Sequence, residues 1–222
     1  MYNLPYIICE VLAFVPAIVL HEMSHGFAAY KLGDPTAKRA GRLSFNPLKH
    51  IDPFGTVIMP LLLLAMNAPV FGYAKPVPYD PRYFKNPRRD DLIVGLAGPL
   101  SNILMALVGS VCIHLVRTAA GVPALMAGGT AFYVHLFFQV FTLINLYLAF
   151  FNLIPIPPLD GSSIFAFFTP EKHLPTYYRI QRYAFPIFFI VVIILPEIIH
   201  FDPVGWYLQV TAGNLFDVLA RW

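Results

Sequence analysis

The stretch that decides the fold covers residues 7–25 and reads IICEVLAFVPAIVL followed by HEMSH. Residues 7–20 are apolar except for one charge, Glu10. The closing motif puts His21 and His25 about 40° apart around a helix and roughly 6 Å apart along it, so both imidazoles share one face. Such a pair can hold one zinc ion, with Glu22 beside it as general base. The motif alone is short enough to arise by chance. At the end of an apolar span, however, a metal-binding group is costly to bury and indicates a functional site.

The composition places the chain in a membrane. Hydrophobic residues make up 58% of the 222 residues, aromatic residues 15% and charged residues 12%. A soluble domain carries about 25% charged residues, so this chain has roughly half the charge needed to cover a water-facing surface. The net charge of +3 does not predict a nucleic-acid partner, because the distribution of the basic residues fits membrane topology better.

Four stretches are long and apolar enough to cross a bilayer core of about 30 Å, which takes about 20 helical residues. They are Asn3–Lys31, Leu92–Val116, Ala131–Phe151 and Tyr183–His200. A fifth stretch, Val204–Leu219, is short and contains polar residues, so it could cross or lie along the interface. The sequence therefore predicts an all-α integral membrane protein, a bundle of about four to five transmembrane helices.

The placement of lysine and arginine predicts the orientation of this bundle. Residues 31–89 contain ten of these basic residues and 170–182 contain three, whereas 118–130 and 201–205 contain none. The positive-inside rule places the two basic segments in the cytosol. The first helix then runs from outside to the cytosol, which puts His21 and His25 near the cytosolic end, and the later helices alternate in direction.

The segment Thr56–Val70 does not fit this alternation as a span. Its apolar part, Met59–Met66, is too brief to cross alone, and a crossing would put the following basic residues outside. We therefore expect a short membrane-associated insertion after the first helix, re-entrant or strand-like, sheltered by protein or water. Short strands are predicted at Arg42–Phe45 and at Val57–Pro60. An extended stretch is predicted at the nearby prolines, Pro76, Pro78 and Pro81.

Asp160 is the best candidate for the third zinc ligand, since a catalytic zinc site uses three protein ligands and keeps one position open. It lies in the run NLIPIPPLDG at residues 152–161, which follows the third span on the same side as the two histidines. The prolines of this run end the helix, and Gly161 permits a sharp turn. The alternative is a solvated aspartate on an interfacial proline turn.

Small and polar residues mark the faces on which the helices meet. The second span carries one small stripe, at Gly95, Gly98, Asn102, Ala106 and Gly109. Small residues let membrane helices approach closely, so this span is predicted to pack against the histidine-bearing one. Asn102 could make an interhelical hydrogen bond or line the site. On the third span, Thr142, Asn145 and Asn152 share a face, and polar groups in lipid need partners.

Three motifs thus follow one another: HEMSH at residues 21–25, GPLSN at 98–102 and NLIPIPPLDG at 152–161. Together they resemble the site-2 protease family of intramembrane zinc metalloproteases. The resemblance implies that His21, His25 and Asp160 bind one Zn²⁺ ion per chain and that Glu22 activates water. It also implies that Asn152 holds the substrate or its oxyanion, and that the segment after the first motif is a membrane-associated strand region that pairs with an unwound substrate.

The chain departs from the family pattern in showing no PDZ module and no pair of CBS domains. Substrate selection or nucleotide-linked regulation by such modules is therefore unsupported. The ligand types favour zinc, and iron or cobalt would also be compatible with them.

These observations predict a multi-pass protein of the cell membrane with one polytopic domain over residues 1–222. Its catalytic core would cover about 3–165 and its C-terminal helices about 183–220. The predicted activity is hydrolysis of a peptide bond in or near the transmembrane segment of a single-span protein, towards the cytoplasmic side, with Glu22 and Asn152 as catalytic residues.

One alternative is a metal-binding scaffold or ion carrier that cuts nothing, although a carrier would be expected to show ionisable residues at the midplane of several spans. Another is an inactive relative that binds transmembrane partners.

Overall fold

The computed structural model of the chain describes residues 4–59, 62 and 74–221, and every regular element in these ranges is helical. The α-helices are α1 (Leu4–Lys31), α2 (Thr36–Arg39), α3 (Pro87–Met126), α4 (Thr130–Asn152), α5 (Ser162–Phe168), α6 (Leu174–Gln181), α7 (Ala184–Phe189), α8 (Leu195–Ile199), α9 (Pro203–Leu208) and α10 (Asn214–Arg221). Short 3-10 helices lie at Pro47–Lys49, Pro81–Tyr83 and Glu171–His173, and π-helical turns at Pro53–Ile58, Ile190–Ile194 and Gln209–Gly213. The predicted all-α class is confirmed.

Three helices, α1, α3 and α4, form the centre of the fold and each packs against the other two. By length and composition, these three are apolar enough to cross a membrane, and they match the first three predicted spans. A fourth crossing is added if the segments Glu171–Gln181 and Ala184–Ile199, which are bent by 74°, form one broken span. The protein is therefore a multi-pass membrane protein.

Helix α3 is longer than the predicted span Leu92–Val116, since it runs from Pro87 to Met126. Proline is favoured in a first turn, where the missing N–H has no helical acceptor in any case. The charged residues that follow Pro87 lower the local hydropathy, so the apolar window starts later than the helix does. Near the other end, Gly121 has a φ of 74°, which marks a kink that glycine tolerates.

The outside of the bundle is apolar and part of the inside is polar, the reverse of a soluble domain. On α3, Leu104, Val108 and Leu115 are each more than half exposed, whereas Asn102 and Ala106 are fully buried. Lipid tails are as apolar as leucine, so close packing and interhelical hydrogen bonds, rather than hydrophobicity, hold such helices together.

The predicted stripe of small residues provides that close packing. A β-carbon at Gly98 would overlap the rings of the two motif histidines on α1, as expected from the sequence. The stripe also contacts two other elements, because a β-carbon at Gly95 would overlap Ser163 of α5 and one at Gly109 would overlap Thr142 of α4. Helix α3 is therefore the element against which the others are assembled.

The predicted strands are wrong within the described residues. Val57 and Ile58 belong to the π-helical turn Pro53–Ile58, which begins where the Asp52 carboxylate accepts a hydrogen bond from the Gly55 N–H at 2.7 Å. Arg42–Phe45 forms no strand because its backbone is tied into a local turn, with the Arg42 N–H donating to the Ala37 carbonyl at 2.9 Å.

Most of the predicted insertion Thr56–Val70 lies outside the described residues, including Pro60 and nearly all of Met59–Met66. The re-entrant path of this segment therefore stays a prediction. The proline-rich stretch after it runs without regular structure over 74–80 and ends in the 3-10 helix Pro81–Tyr83, so the expected absence of continuous helix there is confirmed.

The C-terminal part is more broken than the sequence predicts. The predicted span Tyr183–His200 consists of α7, a π-helical turn and α8, with Pro186 and Pro196 removing backbone donors inside it. Residues 203–221 fold back onto the bundle, where Ala212 joins Ala106 of α3 and Leu146 of α4 in one buried cluster. A crossing by Val204–Leu219 stays a prediction.

Arg88, near the start of α3, is predicted to stabilise the turn that follows the candidate site. Its guanidinium donates hydrogen bonds to the carbonyls of Phe167, at 2.9 Å, and of Thr169, where the last carbonyls of α5 have no helical donor. Replacing it by methionine removes a charged donor, which should lower the free energy of unfolding by about 1.5–3 kcal/mol. Thermal unfolding in detergent measures this loss. The exposed neighbour Lys85, replaced in the same way, is the control, and equal melting temperatures for Arg88→Met and Lys85→Met would contradict the assignment.

Candidate metal centre

The two motif histidines lie one turn apart on the inner face of α1. Their Nε2 atoms are 3.1 Å apart, and the rings meet edge to face with centroids separated by 4.7 Å. Both residues are buried, with 7% of His21 and 8% of His25 exposed. The helical spacing that suggested a shared ligand face therefore brings both ring nitrogens to one point.

Asp160 reaches the same point from the loop after α4. Its Oδ2 atom lies 3.0 Å from His21 Nε2 and 3.3 Å from His25 Nε2. The loop is closed by a hydrogen bond of 2.6 Å from the Gly161 N–H to the Asn152 carbonyl. A β-carbon at position 161 would overlap backbone atoms of Leu153, so only glycine allows the chain to fold back here.

The three converging atoms fit a metal ion. Around a tetrahedral zinc with bonds of about 2.0–2.2 Å, neighbouring ligand atoms lie about 3.3 Å apart. The observed separations of 3.0, 3.1 and 3.3 Å are close to this value. Asp160 Oδ2 is buried and receives no hydrogen bond from the described part of the chain. A buried oxygen without a donor, facing two ring nitrogens, is explained by a cation between them.

Hydrogen bonds on the far side of each ring support this arrangement. The His25 Nδ1–H donates to the Val94 carbonyl of α3 at 2.7 Å, and the His21 Nδ1–H donates to Asn102 Oδ1 at 2.5 Å. With protons on Nδ1, both Nε2 atoms present lone pairs to the shared point, as metal-binding histidines do. Two imidazole nitrogens and a carboxylate oxygen form a donor set that suits zinc.

Glu22 lies beside this cluster and faces a cavity of about 420 Å³ that also contacts His25 and Asp160. Its Oε2 atom accepts a hydrogen bond of 3.0 Å from the Val77 N–H, in the irregular segment 74–80. The cavity is also lined by Tyr79, whose hydroxyl donates to Asp91 at 2.8 Å. Burial and the charge of Asp91 raise the pKa of Tyr79 far above its usual range, so the phenol stays a neutral donor.

Comparison with known proteins identifies the family. The profile of Peptidase family M50 matches residues 115–195. The chain is 39% identical to YwhC of Bacillus subtilis over 188 residues, which cover 85% of this chain and 80% of that protein. It is 30% identical to Rip2 of Mycolicibacterium smegmatis, over 96% of this chain and 78% of that protein. Both relatives carry the name "Putative zinc metalloprotease". No solved structure gives a significant match.

The chain belongs to peptidase family M50. This is the site-2 protease family suggested by the three motifs, and the protein is a membrane zinc metalloprotease. The relatives match most of the chain, so the resemblance is not confined to the HEMSH motif.

The structure supports a site role for Asn152 less directly than for the other predicted site residues of the M50 peptidase. Its side-chain amide donates to the Leu148 carbonyl of its own helix at 3.0 Å, and the residue does not line the described cavity. Its backbone carbonyl accepts the hydrogen bond that closes the Asp160 loop. The structure thus brings together Glu22, His21, His25 and Asp160, while the catalytic role of Asn152 stays a prediction.

The sequence did not predict the hydrogen bond from His25 to the Val94 carbonyl or the one from the Val77 N–H to Glu22. A backbone carbonyl has no residue-type signal, although Val94 lies one turn before Gly98 and therefore on the same face of α3. The Val77 N–H could have been suspected because the prolines on both sides of it, Pro76 and Pro78, have no N–H of their own. The pair of Tyr79 and Asp91 has no recognisable spacing, because it joins a loop to a helix.

Gly98 is predicted to be essential for metal retention in the M50 peptidase. An added β-carbon would lie 2.6 Å from ring carbons of both His21 and His25, so Gly98→Ala must displace the imidazoles. We expect the zinc content of the purified variant to fall well below one ion per chain, measured by elemental analysis. The control is Gly129→Ala, where an added β-carbon meets no atom within 4 Å. Wild-type zinc content in a folded Gly98→Ala variant would contradict the described packing.

Proposed function

We propose that this M50 peptidase hydrolyses a peptide bond in or near the transmembrane segment of a single-span membrane protein. The observation that carries this proposal is the position of Glu22, which lies in the C-terminal half of an apolar helix and lines one cavity with His25 and Asp160. A purely structural metal site would be closed by a fourth protein ligand and would need no carboxylate beside it.

His21, His25 and Asp160 are proposed as the zinc ligands, because their donor atoms all lie within 4.8 Å of one another. Zinc in a site of this type lowers the pKa of a water molecule to about 7 and polarises a carbonyl. Nitrogen and carboxylate ligands also suit other divalent metals, so the assignment to zinc rests on the family rather than on the ligand types alone.

Glu22 is proposed as the general base, which takes the proton from the attacking water and delivers it to the leaving amine. The hydrogen bond from the Val77 N–H holds one carboxylate oxygen, so Oε1 is the oxygen expected to receive the proton. Asn152 is proposed to hold the substrate or the developing oxyanion. For this role its amide would have to turn away from the Leu148 carbonyl that it now contacts.

The substrate must unwind before it is cut, because a transmembrane helix uses its carbonyls in its own hydrogen bonds. We propose that the unwound peptide lies in the cavity beside Glu22, along the non-helical segment 74–80, and adds to it as a strand would. This segment supplies Pro76, Val77 and Tyr79 to the cavity wall. Arg42–Phe45, which the sequence predicts as a strand in the same region, forms no strand in the structure and is not proposed as the pairing edge.

The site is proposed to face the cytoplasm, since the basic residues cluster between α1 and α3 and residues of the same region line part of the cavity. Water then reaches the site by a short path. The whole of 1–222 is proposed to act as one domain, with the catalytic core in 3–165 and the helices of 183–220 packed around it.

Replacing Glu22 by glutamine tests the proposed function. The substitution keeps the shape of the side chain and removes the base, so cleavage should fall by at least about 100-fold, while the zinc content stays at the wild-type level. The measurement uses detergent-purified protein, a panel of single-span fusion substrates, and parallel reactions with a chelator. Glu171→Gln, an exposed glutamate outside the cavity, is the matched control.

Two results would contradict the proposal. Full activity of purified Glu22→Gln protein would refute the assigned base. Failure of wild-type, zinc-loaded protein to cut any member of the panel would favour the metal-binding scaffold or carrier.

A further inference from the structure

Asn102 is a fully buried polar residue of α3 that contacts both neighbouring helices of the core. Its Oδ1 atom faces His21 Nδ1 of α1 at 2.5 Å. Its Nδ2 group donates to the Ala17 carbonyl of α1 at 3.3 Å and to Asn145 Oδ1 of α4 at 2.8 Å. Asn145 is also fully buried, and its own Nδ2 donates to the Phe141 carbonyl at 2.8 Å.

The backbone fixes which way both amides point. A carbonyl oxygen can only accept a hydrogen bond, so the atom of Asn145 that faces Phe141 must be nitrogen and its oxygen must face Asn102. In the same way, the atom of Asn102 that lies between the Ala17 carbonyl and Asn145 Oδ1 must be nitrogen. The oxygen of Asn102 then faces His21 and cannot donate to it.

This orientation determines where His21 carries its proton. Because Asn102 Oδ1 is an acceptor, the proton of a neutral His21 ring lies on Nδ1, and the Nε2 lone pair is directed at His25 and Asp160. The two histidines are held by different means. His25 is oriented by a backbone carbonyl, that of Val94, which no side-chain substitution removes, whereas His21 depends on a side chain that is itself oriented from a third helix.

We propose that Asn102 is a positioning residue for His21, and that Asn145 acts on the metal centre only through Asn102. The two amides would hold one imidazole in the tautomer and direction that a metal ligand needs. This inference rests on the zinc site of the proposed function but not on the identity of the substrate. The competing explanation is that the two asparagines only join α1, α3 and α4.

The test measures zinc affinity rather than proteolysis, by competition with a chromophoric chelator in detergent. Outer partners of metal-binding histidines typically contribute a factor of about 10–100 in metal affinity. We expect Asn102→Leu, which removes the acceptor, to lose roughly that factor, and Asn145→Leu to lose less because the Ala17 carbonyl still orients Asn102. The double variant should bind zinc as weakly as Asn102→Leu alone, since Asn145 has no separate path to His21.

Asn102→Asp separates positioning from packing. It keeps an acceptor for His21 but loses the donor to Ala17 and Asn145, so it should retain far more zinc affinity than Asn102→Leu even where its melting temperature is lower. Asn102→Asp also keeps the inference testable if Asn102→Leu does not fold. In cobalt-substituted protein, the visible d–d bands should change in Asn102→Leu and stay close to wild type in Asn102→Asp. Ser110→Ala, which removes a hydrogen bond from the same helix to the Leu219 carbonyl, is the control for packing alone.

Specific results would overturn the inference. If Asn102→Leu is folded and binds zinc as tightly as wild type, or if Asn102→Asp loses as much affinity as Asn102→Leu, the asparagine serves packing only. An additive loss in the double variant would show that Asn145 acts by another route. A wild-type protein that binds no zinc would instead contradict the zinc site itself, so the two failures are distinguishable.

Discussion

Three potential metal-binding atoms meet at one buried point between α1 and the loop after α4. His21 Nε2, His25 Nε2 and Asp160 Oδ2 lie 3.0–3.3 Å apart, and in a site of low polarity such atoms repel one another unless a cation joins them. Each ring is oriented through its Nδ1 atom by an acceptor on α3. The acceptor is Asn102 Oδ1 for His21 and the Val94 carbonyl for His25. The stability of the bundle and the chemistry of the centre therefore depend on the same contacts.

The rest of the fold follows from bringing those groups together. Helix α3 can approach α1 closely enough only because Gly98 has no side chain, and the Asp160 loop can return only because Gly161 has none. Lipid offers no hydrophobic force between helices, so such close contacts and buried amide hydrogen bonds must provide the cohesion. Polar residues that would be a liability in a membrane helix, Asn102 and Asn145, join α1, α3 and α4 and place a hydrogen-bond acceptor against His21 Nδ1.

Part of the fold and of the candidate metal centre could be predicted from the sequence, and part could not. The first three spans could be predicted because hydropathy depends on local composition, and the convergence of Asp160 with the histidines because topology puts both on one side. The strand predicted at Arg42–Phe45 and the described part of the one predicted at Val57–Pro60 were wrong, because local turns and a π-helical turn took the backbone donors that a strand would have shared. The Val94 carbonyl and the orientation of two amides have no signal in the sequence, since they depend on which helix faces which.

X-ray absorption at the zinc edge, on purified protein in detergent, tests the central claim most directly. The account predicts one zinc per chain with a four-coordinate shell of nitrogen and oxygen at about 2.0–2.2 Å, including the scattering of two imidazoles, and the loss of one oxygen ligand in Asp160→Ala. A shell that contains sulfur, a shell with fewer than two imidazoles, or a spectrum unchanged in Asp160→Ala would contradict it.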